Sequence, residues 1–131
     1  MHYICLIYLD ERRLAQLSDS ALRALQAESA RCEADWRAAG LLVAAEALGS
    51  IELATTLRSD PHGVSVRHGP GACTPEQLAG MVIIDVQDLD AALRLAAALP
   101  ARQLGSVEVR PLLSGSRLGV PCPATQRPGS R

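Results

Sequence analysis

The sequence predicts one α+β domain assembled in the order β-α-β-hairpin-β-α-β. Three observations predict it. Two stretches carry apolar residues at helical spacing, apolar runs of strand length lie before, between and after them, and a β-rich pair split by a Gly/Pro turn sits midway. At 131 residues the chain has room for a single, modest core. With two Tyr, one Trp and no Phe, that core must be filled by Leu, Ile, Val and Ala.

Residues 2–9 form the first strand, apolar in both alternations and therefore an interior strand expected to be covered on both faces. Asp10 and Glu11 end it and read as a solvated loop. From about Ser18 to Ala39, Leu22, Leu25, Ser29, Cys32 and Trp36 recur at spacings of three and four, with Arg23, Glu33 and Arg37 outward. Gly40 supplies the stop. Leu41 to Leu48 is a strand in which Glu46 is the only charge.

Residues 54–58 and 64–67 flank the turn Asp60-Pro61-His62-Gly63 and make a hairpin. Thr74 reads as the cap of a single helical turn, with Pro75 at its first position and Gln77 completing a capping box. Residues 80–86 are a largely apolar strand. Asp88 caps a second helix whose stripe is Leu89, Ala92, Leu93, Ala96 and Leu99, ended by Pro100. Residues 106–110 are the last strand, closed by Pro111. The domain is expected to span 1–113, leaving 114–131 as a disordered Gly/Ser/Pro/Arg-rich tail.

This order is a ferredoxin-like α+β arrangement with an antiparallel sheet. Two helices shelter one face of four strands, while the first strand and the 80–86 strand are apolar on both. A lone protomer would expose an apolar patch of roughly several hundred Å², which soluble monomers avoid. A homodimer pairing two such sheets face to face would bury it and enclose a cavity for a small-molecule ligand.

Other classes find no support. Net charge is −1 with no basic stripe, which argues against nucleic acid. No run reaches the ~18 apolar residues of a membrane span, and no secretory leader pattern opens the chain, so a cytoplasmic protein away from membranes is expected. Cys5, Cys32, Cys73 and Cys122 lack C-x-x-C spacing and read as reduced thiols, with no metal cluster. The glycines at 63, 69, 71 and 80 form no phosphate loop, and no cofactor is expected. All 13 basic residues are Arg, a bias of the kind GC-rich coding produces.

The residues from His68 to Met81 bring an imidazole and a thiol to a strand end. His68 is the candidate general acid or base, because imidazole both gives and takes protons near neutrality. The competing reading is a solvated turn residue, as for His2 and His62. Glu46 and Arg110, facing a shared cavity, would orient an anionic or oxygenated substrate; otherwise they form a structural ion pair at the dimer seam. Cys73 precedes the expected capped turn, whose free N–H groups would make it nucleophilic. Tyr8 would present its phenol to the cavity, or be a core tyrosine with one wet end.

Five blocks in order resemble the YCII-related family, and more narrowly its DGPF-domain branch. They are Tyr3 to Tyr8, Gly40 to Leu48, Ala54 to Arg58, the Gly69-Pro70…Glu76-Gln77-Leu78…Gly80 segment, and Leu104 to Pro111. The resemblance covers about residues 1–112 and implies a dimeric α+β barrel. Where the branch carries Asp-Gly-Pro-Phe, this chain reads His68-Gly69-Pro70-Gly71. Cys73 stands where a Glu is usual and Met81 where an aromatic is expected, so Met81 joins the candidate binding residues. The resemblance also implies His/Asp acid–base chemistry in the wider family, one lineage of which eliminates chloride from a chlorinated aromatic. That histidine belongs to the first helix, where this chain has none, so the pair does not carry over.

Two functions follow as expectations. One is a dimer binding a small metabolite, oxygenated or anionic, through Tyr8, Glu46, Cys73, Met81 and Arg110 in an intersubunit cavity. The other is a cofactor-independent lyase or isomerase in which His68 moves the proton.

Overall fold

The structure, a computed structural model, describes residues 1–113; the expected tail, 114–131, lies outside the described residues. Strand β1 (His2–Asp10) runs into a short helix α1 (Glu11–Ala15) and then the long helix α2 (Asp19–Ala38). Strand β2 (Leu42–Ala47) leads through a 3-10 turn at Ile51–Leu53 to β3 (Thr55–Asp60) and β4 (Gly63–His68). Then come β5 (Glu76–Asp85), α3 (Leu89–Ala97), a 3-10 turn at Pro100–Gln103 and β6 (Gly105–Pro111).

The main sheet has the order β2-β5-β1-β6, and each neighbouring pair is antiparallel. This is the expected ferredoxin-like α+β topology. The β3-β4 hairpin stands apart as its own two-stranded sheet. Register explains the faces. Tyr3, Cys5 and Ile7 of β1 pair with Ile84, Val82 and Gly80 of β5 on the side the helices cover. Ile4 and Leu6 pair with Ile83 and Met81 on the other side.

The core is correspondingly one-sided. Cys5 and Ile84 are fully buried, and Trp36 of α2 and Ala92 and Ala96 of α3 pack with them. Ile4, Leu6, Met81 and Ile83 are only half-buried. The expectation that β1 is sheltered on both faces therefore holds within the protomer for one face alone.

Helix ends follow local chemistry. Ser18 and Asp88 accept from the backbone N–H groups of Ala21 and Ala91, each the third helical residue. At the far end of α2, Gly40 adopts φ 75°. Its N–H donates to Arg37 O, and Leu41 N–H to Trp36 O, completing a Schellman motif that sends the chain into β2. At the same end of the sheet, where Asp85 N–H donates to Leu41 O, the Met1 ammonium meets the Asp85 carboxylate at 2.9 Å. That hydrogen bond and charge, with a smaller contribution from His2, hold the Asp85 carboxyl below the usual carboxylate range.

Three local expectations are corrected. Thr74 caps no helix. The chain from Glu76 is already strand, because Glu76, Gln77 and Leu78 pair with Asp10, Leu9 and Tyr8. The Gln77 amide instead donates to the carbonyls of Ala72 and Thr74. Asp10 and Glu11 are no loop: Asp10 caps α1 and Glu11 opens it. Leu89 and Leu93 are 46% and 47% exposed, so the buried stripe of α3 is Ala92, Ala96 and the following Leu99. The helix turns Ala92, Ala96 and Leu99, with the half-buried Ala91 and Leu95, toward the sheet, which leaves Leu89 and Leu93 at its margin.

Candidate functional site

A cleft of about 640 Å³ lies between the N-terminal half of α2 and the main sheet. It exists because of what the sequence puts there. Trp36 is the only buried residue of α2 and anchors the helix near its C-terminus. Nearer the N-terminus, Leu22, Leu25 and Ser29 look down on a floor of Ala45, Ala47 and Gly80. Those floor residues carry a methyl group or nothing, so their side chains leave the space beneath the helix unfilled. Ile7 and Leu9 of β1 extend the floor, and Leu99, Pro100 and Leu104 close one side. A Cβ on Gly80 would meet the Glu46 carbonyl oxygen at 3.0 Å, which explains glycine at that point.

The polar groups of the cleft are sparse. On α2, Gln26 and Glu33 flank it. On the other side Glu11 accepts from the Ser50 hydroxyl at 2.8 Å and from Ile51 N–H at 3.0 Å, tying α1 to the segment after β2. Among the described residues the lining holds no Arg and no His. It also contains no aromatic ring.

The candidate residues named from sequence fall elsewhere. Tyr8, Glu46, Met81 and Arg110 all belong to the helix-free face: Glu46 pairs with Met81, Met81 with Leu6, and Arg110 with Ile4. Glu46 and Arg110 sit on opposite edge strands, and the row of Glu46 ends at Glu108, two residues from Arg110, so more than about 14 Å separates them. They form no pair within the protomer; Arg110 meets Glu108 at 3.3 Å on its own strand. Glu46 and Met81 also border the cleft, although strand alternation turns their side chains to the other side.

His68 ends β4, opposite Thr55, and is exposed on the separate hairpin. It neither lines the cleft nor joins Glu46 and Arg110 on the main sheet. Cys73 is exposed in the stretch before β5, with no helix start after it to activate the thiol. The loop between them is fastened by side chains. Thr56 donates to Gly69 O at 2.7 Å, Arg58 to Gly71 O at 2.8 Å and Arg67 to Pro70 O at 3.1 Å. Gly69, at φ 102°, takes a conformation that favours glycine. Burial pushes the Cys5 thiol up to about 11 and raises that of Cys32, which donates to Ala98 O. No group of His, Cys, Asp and Glu suited to a metal occurs among the described residues.

Several cleft residues escaped the sequence reading. By periodicity Glu33 faces outward and Glu11 reads as loop, yet both border the cleft. The available signal was compositional: a serine inside an otherwise apolar helical stripe, facing a strand of alternating alanines.

Residues 1–114 match the YCII-related domain, which is most of the chain. The protein belongs to the YCII-related family. The five sequence blocks carrying the resemblance fall on β1, β2, β3, the entry to β5, and β6, so the shared residues are those of the strand framework. The search of curated proteins gives no match. No helix among the described residues is long and apolar enough to cross a membrane.

Proposed function

We propose that this YCII-related protein binds a small molecule in the cleft between α2 and the main sheet, and pairs with a second copy through the helix-free face. The observation that carries the reading is the cleft itself. At about 640 Å³ it has the size of a small-molecule site, and apolar walls with few polar groups suit one. Ile4, Leu6, Met81 and Ile83 support the homodimer, as an apolar strip that no helix of the same chain covers. The hairpin adds a second strip, since Leu57, Val64 and Val66 are each about two-thirds exposed.

A second reading places the ligand between the two sheets of such a dimer. It is favoured by the common facing of Tyr8, Glu46, Met81 and Arg110. Amide chemical-shift mapping with a library of small metabolites separates the two. Perturbations centred on Ser29, Ala45 and Ala47 are expected. Perturbations confined to Leu6, Met81 and Arg110 would overturn the cleft and establish the intersubunit site.

A further inference from the structure

We propose that the ligand of the cleft is an aliphatic amine: a saturated body in the apolar part, with a protonated primary or secondary ammonium at the rim. This rests on the cleft being the ligand site and adds the chemical class. The walls are Leu, Ile, Val and Ala, so the body is recognised by area and dispersion alone. Without an aromatic ring in the lining there is no stacking partner for a flat π-system, and no cage of the kind that holds quaternary ammonium groups.

Charge decides the head group. The side chains bordering the cleft include the carboxylates of Glu11 and Glu33 and no cation among the described residues. An anion there would meet only like charge as it lost water, with no more than the neutral donors of Gln26 and Ser29 to offset the cost. An ammonium would meet acceptors. Glu11 already uses each oxygen once, toward Ser50 and Ile51, which leaves lone pairs free on both and holds the carboxylate in place. Glu33 is half-buried and makes no ion pair among the described residues. Charge-assisted N–H···O bonds to these groups favour an ammonium that keeps its hydrogens.

The test titrates the full chain with decylamine, decanol and decanoate, all below their aggregation concentrations, by calorimetry. The three share a tail and differ in head. Decylamine is expected to bind at least tenfold tighter than decanol, with decanoate weakest. Glu33→Gln should narrow the amine's advantage several-fold and leave decanol unchanged. Ala45→Leu, which fills the floor, should weaken all three. Equal or tighter binding of decanol or decanoate, still lost in Ala45→Leu, would overturn the amine and keep the cleft. Binding of all three untouched by Ala45→Leu, or no binding at all, would overturn the cleft itself. Circular dichroism of each variant confirms that it is folded.

Discussion

The Glu11 carboxylate receives the Ser50 hydroxyl hydrogen at 2.8 Å, joining residues 39 positions apart across one end of the cleft. Its second oxygen takes the Ile51 N–H, so one side chain fixes the segment through which β2 leaves the main sheet. Glu11→Ala removes both acceptors and leaves the half-buried amide of Ile51 without its partner. A loss of about 1–2 kcal/mol in stability is expected, with faster hydrogen exchange at Ile51 while the amides of β1 stay protected. Unchanged exchange at Ile51 would show that the clamp has no hold on this segment.

Glycines should divide sharply. Gly105 pairs with Leu9 where β6 starts beside β1, and a Cβ there would run into the Tyr8 carbonyl. The atoms it would meet are the backbone of the interior strand β1, which does not yield cheaply. Gly105→Ala should cost on the order of 3 kcal/mol. A Cβ on Gly71 meets nothing closer than 3.7 Å, so Gly71→Ala should be close to neutral. Chemical denaturation of the two variants measures the contrast, and equal midpoints would contradict it.

Alkaline pH should destabilise the protein through Cys5. Burial raises its thiol from 9.0 to about 11, so the folded state keeps the proton after the unfolded chain has released it. The unfolded state then binds fewer protons, and stability falls as pH rises. The contribution is complete below about pH 9 and declines toward pH 11. Cys5→Ala should lower stability overall by opening a cavity, yet flatten this alkaline slope. A slope as steep as that of the parent chain would remove Cys5 as its source.

The helix-free face is expected to hold two copies together. Leu6 and Met81 lie side by side at its centre, so Leu6→Glu places a charge where two sheets would meet. Sedimentation at micromolar concentration should show a dimer for the parent chain and a monomer for the variant. A monomeric parent chain would leave the apolar strip without the partner assigned to it.

His68→Ala should change ligand affinity less than twofold, because His68 lies on the hairpin and outside the cleft lining. Titrations with whichever library compound binds tightest measure this. A tenfold loss would bring His68 back as a residue of the site.

Much of the fold is legible in the chain because it is local. The stripe Leu22, Leu25, Ser29, Cys32 and Trp36 reports its own helix, and Ser18, Gly40 and Asp88 mark helix ends by hydrogen bonds spanning only a few residues. Strand alternation likewise places Glu108 and Arg110 on one face and Val107 and Val109 on the other, as β6 confirms. The failures have one character. Gln77 reads as the end of a capping box until Leu9, nearly seventy positions earlier, claims it for a strand. Leu89 and Leu93 read as core until the packing of α3 turns Ala92, Ala96 and Leu99 to the sheet in their place.

The order of the main elements, a largely aliphatic core and the excess of apolar strand surface over helix to cover it are all legible in the chain alone. These depend on periodicity and composition, which a chain carries before it folds. Where space remains is settled by packing. A cleft is set by how far α2 stands from Ala45, Ala47 and Gly80, and distance between elements remote in sequence arises only when they pack.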